Sequence, residues 1–166
     1  LMENVQAVIV PHAGYVFSGV TAASAFAAIN PDAEYEHIFL LGPSHHVYLG
    51  KASVNIGASA YATPLGNVPV DTALCKDLME KSDAITYAQE AHESEHCLEV
   101  ELPFLQYHMK KMPPIVPIII ATQELSTLKK IAGCLKPYLN ERNLFVISSD
   151  FSHYPAYMDA KLVDGL

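Results

Sequence analysis

Four short apolar runs constrain the fold of this chain more than any other feature. A breaker or a polar loop follows each run, and helical patterns separate them. Continuous apolar strands that alternate with helices are typical of a parallel sheet covered on both faces, because each crossover connection places a helix on the sheet. We therefore expect an α/β protein with three α/β/α layers and a mostly parallel central sheet. The predicted strands cover residues 5–10, 37–41, 115–120 and 143–149.

The segments between these runs contain three helical patterns. They cover residues 19–29, 71–81 and 126–139, and Asp71 is the expected N-cap of the second. Residues 52–56 have the composition of a further strand, whereas residues 61–69 are predicted to form a loop. Pro117 lies inside the third apolar run, and a proline cannot donate a ladder hydrogen bond, so we expect an edge strand or a bulge there.

Length, composition and net charge limit the classes of protein to which this chain can belong. A chain of 166 residues with 51% hydrophobic residues is long enough for one globular domain, which we assign to residues 1–166. A net charge of −8 with only ten basic residues argues against a nucleic-acid partner. The longest apolar run is too short to span a bilayer, and no signal pattern begins the chain, so we expect a soluble cytoplasmic protein without a membrane partner.

The three cysteines are odd in number and widely spaced, and no CxxC pair occurs. This pattern predicts reduced thiols, and neither a disulfide framework nor a thiolate zinc site is indicated.

Histidines follow three of the four predicted strands. His12 follows the first strand, His45 and His46 follow the second, and His153 follows the fourth with Asp150 in the same loop. Ligands of open α/β sheets bind outside the carboxyl ends of the strands, and these three loops would meet there. Imidazoles beside a carboxylate suit a metal site or an acid/base site. The alternative is that these are ordinary loop histidines that bond to the backbone.

Residues 92–96, with the sequence HESEH, fit the H-E-x-x-H pattern of zinc peptidases. That chemistry requires His92 and His96 one turn apart on a continuous helix, with Glu93 positioning the water. Pro103 follows closely and disfavours such a helix unless the helix begins near it. A peptidase is therefore a remote alternative, and we expect His92 and Glu93 to be solvated.

Taken together, four motifs resemble the Memo-like family, also known as AmmeMemoRadiSam system protein B. They occur in the order of the family and extend over nearly the whole chain. The resemblance implies a fold similar to class III extradiol dioxygenases, with a metal-binding crevice. The motifs are PHAGY at residues 11–15, GPSHH at 42–46, EHCLE at 95–99 with Leu102 and Pro103, and SSDFSH at 148–153.

The resemblance implies that His12, His45 and His153 line the crevice, with Asp150 beside them as the anionic ligand. The expected metal is iron, with copper or zinc as alternatives, and no organic cofactor is predicted. In an extradiol-type oxidoreductase, His153 would act as acid/base, and His96 would contact substrate at the rim of the crevice. The alternative function is a non-catalytic module that binds a peptide or an anionic group in the same crevice.

Members of the family are usually longer at both ends, and a C-terminal portion supplies a further crevice residue, a cysteine in some members. None of the cysteines here matches it, so we expect a truncated part of a longer family domain. The sequence does not specify the substrate or the oligomeric state.

Overall fold

The structure is a computed structural model that describes residues 5–11, 24–95 and 97–149. Within these residues the chain forms a six-stranded sheet with the strand order β1-β8-β2-β7-β3-β6, flanked by helices. Neighbours among β1, β8, β2 and β7 are parallel, β3 runs antiparallel to β7, and β6 is parallel to β3. The expectation of a mostly parallel sheet in an α/β fold is confirmed. The strands are β1 (Ala7–Pro11), β2 (His37–Pro43), β3 (Lys51–Val54), β6 (Ile85–Thr86), β7 (Ile115–Ala121) and β8 (Asn143–Ser149).

Helices connect the strands, and sequence patterns explain where two of them form. Asp71 caps the second helix by accepting a hydrogen bond from the Leu74 amide at 3.0 Å. Leu128, Ile131 and Leu135 lie on one stripe of the last helix and are buried. The helices are α1 (described over residues 24–27), α2 (Thr72–Lys81), α3 (Gln89–Glu93), α4 (Leu102–His108) and α5 (Leu125–Leu135), with 3₁₀ turns at Glu99–Glu101 and Lys136–Tyr138.

The centre of the core lies between β2 and β8. The rings of Phe39 and Phe145 stack with their centroids 4.6 Å apart, and both side chains are fully buried. Burying a side chain of this size stabilises the fold by roughly 1.5–3 kcal/mol. These two strands are therefore fixed relative to each other.

The prediction of a loop over residues 61–69 is wrong. Two short antiparallel strands, β4 (Ala60–Thr63) and β5 (Gly66–Pro69), form a hairpin there. Gly66 has a φ of 115°, which favours glycine and closes the turn. The strands are largely exposed and contain no apolar alternation, so the sequence lacked the periodic signal of a strand.

The expectation that Pro117 marks an edge strand or a bulge is also wrong, because β7 lies between β2 and β3. The Asp71 amide bonds to the Ile115 carbonyl on the side of β7 that faces away from β2. By alternation, the nitrogen of Pro117 faces that same side. Pro117 lies between the bridge that Ile115 makes with Val70 and the first pair with β3, at Ile118. The N–H that proline lacks therefore leaves no hydrogen bond of the sheet unmade.

Candidate functional site

Three neighbouring parallel strands end at the same edge of the sheet. Pro11 at the end of β1 lies in register with Ser149 at the end of β8. On the other side of β8, Leu41 is paired with Ile147, and β2 continues for two more residues to Pro43. The loops that begin after these strands therefore start side by side. This edge is where ligands of open α/β sheets bind.

His45 is held at this edge by a buried glutamate. One carboxylate oxygen of Glu95 lies 3.0 Å from Nδ1 of the His45 ring, and the other accepts a hydrogen bond from the His45 backbone amide at 2.7 Å. The side chain of Glu95 is only 5% exposed, whereas that of His45 is 39% exposed. One carboxylate thus fixes both the backbone and the ring of the histidine.

The electrostatics of this pair determine the tautomer of His45. Burial alone would raise the pKa of Glu95, but the hydrogen bonds from the ring and backbone of His45 hold that pKa below its ordinary value. The carboxylate is therefore charged at neutral pH and accepts the proton carried by Nδ1. In the neutral imidazole, Nε2 then carries the lone pair, which is the form that binds metals.

The segment that contains Glu95 and Cys97 packs against the end of β2, and this contact brings Glu95 next to His45. Gly42 near the end of β2 packs against Cys97, whose thiol donates to the Pro43 carbonyl at 3.6 Å. Burial raises the pKa of the Cys97 thiol well above its ordinary value, so the group stays protonated. All three cysteines are free thiols, as expected.

Glu101 lies deeper in the same region and is 1% exposed. The Ser148 hydroxyl at the end of β8 donates to its carboxyl group at 3.5 Å. Burial raises the pKa of Glu101 to about 8, although the Ser148 bond lowers it in part. This carboxyl group is therefore largely protonated at neutral pH, in contrast to Glu95.

The sequence model of the family that is described as Memo-like protein matches residues 1–164 of this chain. The chain belongs to the Memo-like family. It is 38% identical over 154 residues to a MEMO1 family protein of Schizosaccharomyces pombe, a match covering 89% of this chain and 49% of that protein. It is also 38% identical over 162 residues to a MEMO1 family protein of Thermococcus onnurineus, covering 93% of this chain and 55% of that protein. The chain spans about half the length of the curated relatives it matches.

A solved structure shares the fold of this Memo-like chain. It is the crystal structure of an uncharacterized protein from Escherichia coli K12, with a TM-score of 0.57. The match covers 86% of this chain and 58% of that chain, at 16% sequence identity. At that identity the likeness extends to the fold alone.

Of the predicted site residues of this Memo-like chain, the structure describes only His45. His12, His96, Asp150 and His153 lie outside the described residues, so their assignments stay predictions. Within residues 5–11, 24–95 and 97–149, no group of three or more His, Cys, Asp or Glu side chains is arranged to hold a metal ion. Glu95, which belongs to the EHCLE motif, reaches His45.

The HESEH segment does not form the helix of a zinc peptidase. Helix α3 ends at Glu93, before the second histidine of the pattern. The expectation that His92 is solvated is wrong, because its side chain packs against β3 and is 9% exposed overall. Its Nε2 lies 2.9 Å from the Ser53 hydroxyl and 3.1 Å from the Val54 carbonyl. Glu93 is exposed, as expected.

Two other histidines have structural contacts. His37 at the start of β2 bonds through Nε2 to Asp71 at 2.8 Å. His108 at the end of α4 is partly buried, and its Nε2 bonds to the Ile29 carbonyl. His37 thus ties the cap of α2 to β2, and His108 ties the end of α4 to the turn after α1.

A concavity of about 280 Å³ opens beside His45. His46 and Tyr48 line it from the loop after β2, and Thr122 and Gln123 line it from the loop after β7. In the part of the chain that the structure describes, no helix is long and apolar enough to cross a membrane.

Proposed function

We propose that this chain forms a histidine-lined crevice that binds a divalent transition metal and supports oxidoreductase chemistry of the extradiol type. The proposed metal ligands are His12, His45 and Asp150, with His153 beside the metal in the same crevice. The observation that carries the proposal is the Glu95–His45 pair at the carboxyl end of β2, beside the ends of β1 and β8. A carboxylate that fixes Nδ1 of a histidine is the usual support of a metal-binding imidazole.

The donor set fits the proposed metal. Neutral imidazoles with one carboxylate match the two-histidine, one-carboxylate sites of non-haem iron, and imidazole also suits copper and zinc. Iron is the first candidate on this basis. When bound, the metal would supply Lewis-acid activation and open positions for substrate and dioxygen.

The residues of the chain have distinct proposed roles. Glu95 orients His45 and holds its proton on Nδ1. His153 would move a proton to or from the substrate, and His96 would contact the substrate at the rim. The concavity beside His45 is of a size to receive a small molecule or the end of a peptide.

Anaerobic titration of the chain with Fe(II), measured by calorimetry, tests the metal site. We expect near-stoichiometric binding that is lost in both His12→Ala and His45→Ala. His46→Ala is the matched control, because His46 is exposed on the same loop and is outside the proposed ligand set. Circular dichroism confirms that each variant is folded.

Unchanged Fe(II) binding in folded His12→Ala or His45→Ala would overturn the metal assignment. A peptide or anionic ligand whose binding survives chelation, without turnover of catechols, would instead support the non-catalytic binding module.

A further inference from the structure

A second cavity, of about 560 Å³, lies over β3 and beside α3. It is lined by other residues than the concavity beside His45, and its volume is within the usual range of small-molecule sites. We call it the His92 cavity. Its lining includes Asn55, Tyr61, Tyr87, His92 and Glu93.

His92 supplies a hydrogen-bond acceptor to this cavity. A carbonyl oxygen only accepts, so the bond to Val54 requires the proton to be on Nε2 of His92. Nδ1 of the neutral ring is then an acceptor, and among the described residues no hydrogen bond reaches it. Burial lowers the pKa of His92, which keeps the ring neutral near pH 7. The side chain is nine-tenths buried and lines the cavity, so a ligand reaches the ring from the cavity.

The walls of the cavity are aromatic and fixed in place. Asn55 is 7% exposed, and its amide donates to the Tyr61 hydroxyl at 2.9 Å. The ring of Tyr87 lies 6.2 Å from that of His92, tilted by 30°. The Tyr87 hydroxyl packs on Gly57, where any Cβ would collide with it. Both tyrosine rings are thus held before a ligand arrives.

The charge of the lining favours a cation. The Glu93 carboxylate is exposed at the cavity, and no lysine or arginine is among the described residues that line it. Aromatic rings next to carboxylates attract ammonium groups through their quadrupole as well as through charge.

We infer that the His92 cavity binds a small organic cation, a primary ammonium group attached to a flat apolar group. The ammonium group would donate to Nδ1 of His92, and the apolar group would pack on the tyrosines. This inference is independent of the proposed metal site, because His45, the one proposed metal ligand that the structure describes, does not line the cavity.

Titration with 2-phenylethylammonium tests the inference, and the NMR readout is the ¹⁵N chemical shifts of the histidine rings. We expect a saturable shift at the unprotonated nitrogen of His92, with millimolar affinity and no effect of a chelator. The neutral analogue 2-phenylethanol should bind more weakly. No shift at His92, or equal affinity for the neutral analogue, would overturn the inference.

Two variants localise the effect without disturbing the buried histidine. Glu93→Gln should weaken binding about twofold to fivefold, as expected for one exposed charge. Glu90→Gln is the matched control, because Glu90 is exposed on the same helix and does not line the cavity. Gly57→Ala should weaken binding by displacing Tyr87. Equal affinities in all three variants and the parent chain would place the ligand elsewhere and refute the assignment.

Discussion

Glu95 and Glu101 are six residues apart and both buried, yet their protonation states differ because their partners differ. Glu95 accepts two hydrogen bonds from His45, which outweigh the cost of burial and lower its pKa. Among the described residues, Glu101 accepts one long bond, from Ser148, so burial dominates and raises its pKa to about 8. Burial alone therefore does not determine the charge of a carboxyl group in this protein.

The Glu95 contact predicts a positioning role in the proposed metal site. In Glu95→Gln the amide cannot reproduce the charged acceptor that orients His45, so we expect metal affinity to fall by about 10-fold to 100-fold. Calorimetric titration with Fe(II) measures the change, and the exposed Glu93→Gln is the control. Unchanged affinity in Glu95→Gln, with binding lost in His45→Ala, would remove the positioning role while keeping the metal site.

The buried carboxyl group of Glu101 should make the stability of the protein depend on pH. Its folded pKa of about 8 exceeds the ordinary 4.5, so the folded state retains a proton that the unfolded chain releases. The free energy of unfolding should therefore fall as pH rises from about 4.5 to about 8. Glu101→Gln removes the titrating carboxyl group, so the free energy of unfolding of the variant should depend less on pH. At the alkaline end of the range the variant should be more stable than the parent.

Urea unfolding at several pH values measures the Glu101 effect. The exposed Glu90→Gln should give a profile parallel to that of the parent chain. A Glu101→Gln profile that also runs parallel to the parent would contradict the prediction.

The sequence indicated part of the described site and could not indicate the rest. The apolar run of β2 placed His45 at a strand end, and the structure agrees. The family resemblance placed Glu95 in one of the four motifs, but its contact with His45 joins residues 50 apart in the chain. His92 lies on a five-residue helix that is too short to show periodicity, so its burial left no signal.

At the scale of elements, the packing of β2 on the segment after α3 depends on one glycine. A Cβ at Gly42 would lie 2.6 Å from the Cys97 sulfur and 3.0 Å from a Leu98 methyl carbon. Gly42→Ala should therefore destabilise the fold by about 1–3 kcal/mol. Adding Cys97→Ala removes the closer clash and should recover part of that loss, measured as coupling in a double-mutant cycle.

Gly133 provides the matched control for this prediction. It lies in α5, and a Cβ there would meet nothing within 4 Å. Gly133→Ala should stabilise the protein by about 0.5–1 kcal/mol, because alanine is the better helix former. If both substitutions changed the free energy of unfolding in the same direction, the packing argument at Gly42 would be wrong.

The elements that the sequence predicted are those with strong apolar patterns. The spans of β2, β7, β8 and α2 agree with their predicted ranges to within two residues. The β4–β5 hairpin was missed because its strands are half exposed and depend on packing: Gln106 of α4 donates to the Gly66 carbonyl. Tertiary contacts of this kind are absent from a local pattern.

At the scale of the whole molecule, the proposed metal would join loops from three strands that are far apart in the chain. The ends of β1, β2 and β8 are adjacent only in the folded sheet. A metal bound by these loops would therefore bind the folded state and not the unfolded chain. Such binding stabilises the folded state by RT ln(1 + [L]/Kd), which is about 2.7 kcal/mol at a hundredfold excess over Kd.

For a chain of this length, that stabilisation corresponds to a rise in Tm of roughly 5–10 °C. We expect Fe(II) to produce this rise under anaerobic conditions, a chelator to reverse it, and His45→Ala to abolish it. Because the chain carries a net charge of −8, any divalent cation could also bind weakly to its surface. Mg²⁺ at the same concentration controls for that effect, since it prefers oxygen ligands to imidazole. An equal shift with Mg²⁺, or a shift that persists in His45→Ala, would mean that surface charge and not the strand-end crevice binds the metal.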